Sequence, residues 1–269
     1  MVPPARRGPG ASLALAAAAV LLAASLPAAA SEPGPAANWA ALASKGPQSV
    51  LAEADRLANH HGTQRWRMRM TIRPPGGDAK TLVFRVWQKG QRKRLVRFDE
   101  PGDVKGLSML SASKTVMYVY SPDTDNARRV GTSARRQTLL GSNMNYEDMA
   151  SVDLSNDYEA RFDGPADAGR RWLTLKRKAA SEASWDTLRV GISTKTAMAE
   201  VIEYYEGGEL ARVQTRSGFE VLGGVPTYRD IEMKSVDTGL VTELHVLEQE
   251  IGLDLPDKMF KKRYLIRGR

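Results

Sequence analysis

Apolar and polar residues change their period once along this chain, and that change organises the rest. Over Gln48 to His60, Val50, Leu51, Ala54, Leu57 and Ala58 recur at spacings of three and four, which predicts a short amphipathic helix. From Gln64 the spacing drops to two. Trp66, Met68, Met70 and Ile72 alternate with Arg65, Arg67, Arg69, Thr71 and Arg73, so Gln64 to Arg73 predicts a strand with one apolar and one basic face. Pro74-Pro75-Gly76-Gly77-Asp78 is a turn, and Lys80 to Lys89 returns with Leu82, Phe84 and Val86 on one side. The two strands predict a hairpin.

Beyond Lys89 the period stays near two for most of the chain. Strands are predicted at Arg92–Phe98, Gly106–Ser111, Thr115–Tyr120, Arg128–Val130, Asp157–Asp163, Arg171–Lys178 and Thr187–Ile192, then at Ala199–Glu206, Glu209–Arg216, Thr227–Ser235, Gly239–Gln249 and Arg263–Ile266. Turn chemistry joins many of them: Lys89-Gly90-Gln91, Ser121-Pro122-Asp123, Gly207-Gly208, Gly223-Gly224 and Asp237-Thr238-Gly239. Short strands joined this way predict an antiparallel meander rather than βαβ units. Helical character interrupts the pattern around Tyr146 to Val152, and Pro256 to Phe260 predicts one more helical turn. The fold class is therefore mainly β, with a few helices.

The amino terminus follows another rule. Arg6 and Arg7 precede an apolar run from Ala11 to about Leu26, then Pro27 and Ala28-Ala29-Ala30, the order of a secretory signal with cleavage near Ala30. Residues 31–47, rich in Ala, Pro and Gly, read as a flexible leader, leaving 48–269 as the folded domain. There is no cysteine, hence no disulfide, no thiolate metal site and no lipid-accepting residue after the signal. The expectation is an exported, periplasmic protein without a lipid anchor. Losing residues 1–30 lowers the formal charge by two, from +8 to +6, so the chain stays basic. Export and the absence of any nucleic-acid motif leave anionic lipid or an acidic partner as the counterpart of that charge.

Catalytic chemistry is thin. Ser111-Ala112-Ser113-Lys114 has the S-x-x-K spacing, but it falls between strands and not on a helix start. His60-His61 are adjacent, whereas two ligands on one helix face need a spacing of three or four. Asp123 and Asp125 read as polar turn residues, and Glu147-Asp148 project about 100° apart on a helix, poorly placed for paired acid–base work. No enzyme, metal or cofactor is expected.

Apolar mass on strand faces stands out instead. In register, Trp66, Met68, Met70 and Ile72 join Leu82, Phe84 and Val86 in one surface, to which Tyr118 is added from a strand apolar on both sides. A strongly curved sheet under few helices either fills that surface with its own core or leaves a lumen for an apolar ligand, and methionines suit adaptable binding.

Several runs carry a resemblance. They are Trp87-Gln88-Lys89-Gly90 through Arg94, Phe98-Asp99-Glu100-Pro101, Lys105-Gly106, Tyr118-Val119-Tyr120-Ser121-Pro122 and Arg128-Arg129-Val130, then Gly141 through Met149, Glu203-Tyr204-Tyr205 before Gly208, and Phe260. In order and spacing the chain resembles the LolA-like outer-membrane lipoprotein-sorting proteins. The resemblance implies a curved antiparallel half-barrel of about ten or eleven strands lidded by helices, which shields the acyl chains of lipoproteins or other lipids. It further implies partners: an inner-membrane transporter, an outer-membrane acceptor and transient membrane contact. An adaptor of such a transporter, its interior filled and without lipid cargo, is the alternative. The lid candidates are Leu51 and Leu57 on the first helix and Tyr146 and Met149 on the second segment. The face of Arg65, Arg67, Arg69 and Arg73 is the candidate for anionic head groups.

Overall fold

A computed structural model describes residues 38–59, 62–150, 153–165, 167 and 169–267. One antiparallel sheet of thirteen strands dominates it, curved but not closed into a barrel. In chain order the strands are β1 (Thr63–Arg73), β2 (Lys80–Lys89), β3 (Lys93–Glu100), β4 (Ser108–Ser111), β5 (Met117–Ser121), β6 (Asn126–Arg129) and β7 (Tyr158–Phe162). They continue as β8 (Arg170–Arg177), β9 (Thr187–Ser193), β10 (Ala199–Glu206), β11 (Glu209–Leu222), β12 (Val225–Ser235) and β13 (Val241–Ile251). The sheet order is β6-β5-β4-β3-β2-β1-β13-β12-β11-β10-β9-β8-β7, two meanders joined where the first strand pairs with the last.

Registers assign the faces. Trp66, Val86, Val96, Met109 and Val119 are successive cross-strand neighbours, and so, one residue along, are Arg65, Trp87, Leu95, Leu110 and Tyr118. Alternation puts the two rows on opposite faces. The first row belongs to the main core, together with Met70, Leu82, Phe84 and Phe98 and with Leu173, Val190 and Ile202 from the other meander. This is the inner face. Two pieces of chain cover it: helix α2 (Pro47–Asn59), through Val50, Leu51 and Ala54, and the 130–150 segment, through Leu139, Met144 and Met149. On the outer face of β3–β6, the 3-10 turn Asp257–Phe260 and helix α4 (Lys262–Arg267) cover Leu95, Leu110 and Tyr120 with Met259, Phe260 and Leu265.

Several expectations are corrected here. Arg263–Ile266 is helical, because Leu265 and its neighbours seal an outer apolar patch instead of joining the sheet at an edge. The segment after Tyr146 forms turns, not a helix: the Asn145 amide donates to Asp148 Oδ2 (2.8 Å) and the Asp148 amide to Asn145 Oδ1 (2.9 Å), which closes a single turn. A four-residue helix, α3 (Leu154–Asp157), comes after it. Residues 38–45 of the supposed leader include helix α1 (Trp39–Ser44), capped by Asn38, with Trp39 and Leu42 packed beside Leu57, Met198 and Tyr228. There are thirteen strands rather than ten or eleven. His60, His61, Val152 and the signal segment lie outside the described residues.

Candidate functional site

Met70, Ile72, Leu82, Phe84 and Val86 all lie buried on the inner face, while Trp66 and Met68, on the same strand face, are packed against that core. Alternation in β1 and β2 brings them together, and Phe84 meets Phe98 with ring centroids 5.2 Å apart. Tyr118 does not join them. It stands on the outer face beside Leu110, with Lys262 Nζ 5.6 Å from its ring centroid.

Leu51 and Met149 cover the inner face, Tyr146 packs at its margin, and Leu57 sits in the adjoining cluster under α1. Gln48 pins the start of α2: its Nε2 donates to Ser155 O (2.9 Å) and Tyr158 O (3.2 Å), and its Oε1 accepts from the Ala160 amide (3.0 Å). The far end rests on Gln88, whose Nε2 donates to Asn59 O at 2.6 Å. Asp55 Oδ2 accepts from the Ser155 amide at 2.6 Å. Burial pushes the Asp55 carboxyl up to about 7 against the pull of those Ser155 hydrogen bonds.

The inner face is not uniformly apolar. Arg94 on β3 donates through Nη2 to Gln88 Oε1 (2.7 Å) and through Nη1 to Ala150 O (3.0 Å), and its guanidinium lies 5.9 Å from the centre of the Trp66 ring. Arg212 on β11 pairs with Asp148 and lies 4.2 Å from the ring centre of Tyr204 and 4.6 Å from that of Trp185. Arg216 is four residues further along the same strand and on the same face. Arg94 ends one of the runs that carry the resemblance, but nothing in the local alternation marked any of the three as an inner-face arginine.

The proposed basic face is largely neutralised. On the outer face Arg65 pairs with Glu250, Arg67 reaches Glu248 (3.4 Å), and Arg73 reaches Glu243 (3.0 Å), all on β13. Arg69 stands opposite His245 in the ladder, and the His245 ring contacts Asp230 at 2.6 Å. Such exposed pairs contribute little stability, but they remove the excess charge a head-group surface needs.

The weak catalytic candidates are engaged elsewhere. Lys114 Nζ lies 2.8 Å from Asp157 Oδ1, and Ser111 Oγ donates to Ser113 O at 3.4 Å. Glu147 accepts from the Ser184 hydroxyl and amide. Among the described residues no three metal-binding side chains cluster, and no helix is long and apolar enough to cross a membrane. Two pockets are lined mostly by polar side chains. One, of 230 Å³, lies around Lys176–Ala179, and the other, of 350 Å³, lies over Arg69, His245 and their neighbours on the outer face.

Comparison with known proteins places this architecture. A family model described as "Uncharacterized protein" matches residues 90–267. Among solved structures, a domain provisionally described as an outer membrane lipoprotein-sorting protein from Vibrio parahaemolyticus superposes with a TM-score of 0.74 at 19% identity, covering 84% of this chain and 100% of that one. A LolA superfamily protein from Nitrosomonas europaea gives 0.70 at 20% identity over 81% of this chain and 98% of that one. A protein of a family of unknown function from Desulfovibrio piger gives 0.75 at 20% identity over 81% and 97%. No curated protein sequence matches. The chain belongs to the uncharacterised family of that model, and its fold is the LolA-like curved sheet.

Proposed function

We propose that this protein is a periplasmic carrier that shields acyl chains of a lipoprotein or another lipid against the inner face of its sheet, on the way from an inner-membrane transporter to an outer-membrane acceptor. One observation carries the reading. A broad apolar sheet face, on a fold shared with lipoprotein-sorting domains, is covered by two short pieces of chain rather than by a second layer. The sorting role belongs to those proteins by description and comes to this one by analogy of fold. The export segment supports the compartment.

Magnitudes support an exchange of cover for cargo. Withdrawing α2 uncovers Val50, Leu51 and Leu57, at about 1.5–3 kcal/mol each, or roughly 5–9 kcal/mol. An acyl chain of about 16 carbons brings on the order of 12 kcal/mol before ordering costs. The two are close enough that cargo loads and unloads without either state trapping the protein.

The filled inner face supports a second reading, an adaptor that binds a transporter and carries no lipid. Native mass spectrometry of protein purified from the periplasm separates them. A carrier brings co-purifying lipid and binds a fluorescent fatty acid. Absence of both results overturns the carrier.

A further inference from the structure

Lys261, just before α4, and Lys262 and Arg263, in its first turn, are all exposed, and so is Lys258 in the 3-10 turn that precedes them. A fifth cation joins them from the sheet. Lys262 Nζ lies 5.6 Å from the ring centre of Tyr118, and Arg129, on the edge strand β6, is the ladder neighbour of that same tyrosine on the outer face. Arg129, whose Nη2 donates to Thr115 O at 3.4 Å, is exposed too.

None of the five forms an ion pair among the described residues. The acid beside them in sequence, Asp257, is occupied: its Oδ1 lies 2.9 Å from Lys93 Nζ and 3.2 Å from Lys89 Nζ. In this they differ from Arg65, Arg67 and Arg73, each of which meets a glutamate of β13. The unneutralised charge that β1 lacks is found at α4. The element that carries it is fixed, because Met259, Phe260 and Leu265 are buried against Leu95, Leu110 and Tyr120, and Lys89 Nζ donates to Leu255 O at 2.8 Å just ahead of the turn. The apolar side of α4 is thus spent on the sheet rather than free to insert into a bilayer. What faces outward is charge, with the half-buried rings of Tyr118 and Tyr264 beside the cationic stems.

We infer that Arg129, Lys258, Lys261, Lys262 and Arg263 form a docking surface for an anionic bilayer, held at the head groups by electrostatic attraction without insertion. The five come from a 3-10 turn, a helix and a strand edge, an arrangement that answers a continuous field of phosphates. An acidic protein would find no anchor there, since the large apolar residues left exposed among the described residues, Phe219, Val221 and Val236, lie on β11 and after β12. The surface stands apart from the carrier reading, because the proposed cargo lies on the other face of the sheet.

Co-sedimentation of the protein with vesicles of equal parts phosphatidylglycerol and phosphatidylethanolamine, against vesicles of phosphatidylcholine alone, tests it. The anionic vesicles should bind the protein and about 1 M sodium chloride should release it, while the neutral ones leave it in solution. Each cation near such a surface brings about fivefold in affinity, so the triple variant Lys261→Gln, Lys262→Gln, Arg263→Gln should bind roughly a hundredfold more weakly. Arg129→Gln, which leaves α4 intact, should by itself weaken binding about fivefold. A control, Lys176→Gln, Lys195→Gln, Lys234→Gln, removes the same charge from exposed lysines scattered over β8, the β9–β10 turn and β12, and should stay within about twofold of the parent. Equal loss in the two triple variants would mean that net charge alone draws the chain to the bilayer, and overturns the surface. So does a parent that ignores both kinds of vesicle; if it then binds polyglutamate, the cations serve an acidic protein instead. Binding of a fluorescent fatty acid should be the same in parent and variants, so a failure of the carrier leaves this surface standing.

Discussion

Arg212 on β11 and Asp148 in the covering segment form a two-pronged ion pair, Nη2 to Oδ1 at 2.7 Å and Nη1 to Oδ2 at 2.8 Å, with side chains only 6% and 11% exposed. Arg212 Nη1 also donates to Asn143 O, and its guanidinium packs against Trp185 and Tyr204. The pair fastens the 141–150 turn to the sheet. Removing one partner leaves a buried charge alone, so Asp148→Ala should cost about 3–5 kcal/mol in urea unfolding and speed amide exchange over 141–150. A loss below about 1 kcal/mol, the range of an exposed pair, would show that the pair holds nothing.

The other cover is pinned by side-chain hydrogen bonds from Gln48 to the α3–β7 region. The chain has no cysteine, so Gln48→Cys with Ala160→Cys gives a clean crosslinking pair. If α2 must leave for cargo to enter, the oxidised protein should bind a fluorescent fatty acid at least about tenfold more weakly than the same protein reduced. Equal binding in the two states would mean that ligand enters by another route.

How much of this was legible in the sequence depends on the range of the interaction that decides each element. The β1–β2 hairpin was, because strict alternation and a Pro-Pro-Gly-Gly turn are local and its register comes from them. The end of β11 was not: the strand predicted to stop at Arg216 runs on to Leu222 through Gly218 at φ +67°, its register with β12 unchanged, Phe219 opposite Tyr228. Arg263–Ile266 is too short for periodicity to decide, and an apolar patch formed by β3–β6 decided it. Tyr118 lies in a strand apolar on both sides, so only the ladder could assign its face. The basic row of β1 was visible, but its acids arrive on β13, at the other end of the domain. Arg94, Arg212 and Arg216 stayed hidden for the same reason, since their partners, or the lack of an acid beside Arg94 and Arg216, come from segments distant in sequence.

Arg216 faces the neutral amide of Gln214 and makes no ion pair among the described residues, so its charge is a cost to the folded protein. Arg216→Met keeps bulk, removes the charge and should raise stability by about 1–4 kcal/mol, read as a higher urea midpoint at constant slope. A fall in stability would show that Arg216 serves the fold through Gln214 and its tyrosine neighbours.

Asp55 supplies a pH dependence of definite sign. Its carboxyl is raised from 3.8 to about 7, chiefly by burial, so the folded protein holds that proton more tightly than the unfolded chain does. As pH rises from about 4 to about 7 the unfolded chain gives up the proton first, and stability falls across that window and levels off above it. Ordinary depressed carboxylates do the opposite, Glu53 among them: hydrogen-bonded to Arg56, it loses its contribution as pH falls. Comparing the protein with Asp55→Asn cancels those background groups. The stability of the parent relative to the variant should decline between pH 4 and 7 by at most about 4 kcal/mol, measured by urea unfolding at several pH values. Because Asp55 also holds the Ser155 amide, the same titration should leave the α2–α3 contact more exchange-labile at neutral than at acid pH, and parallel curves for parent and variant would remove Asp55 from any part in loosening the cover.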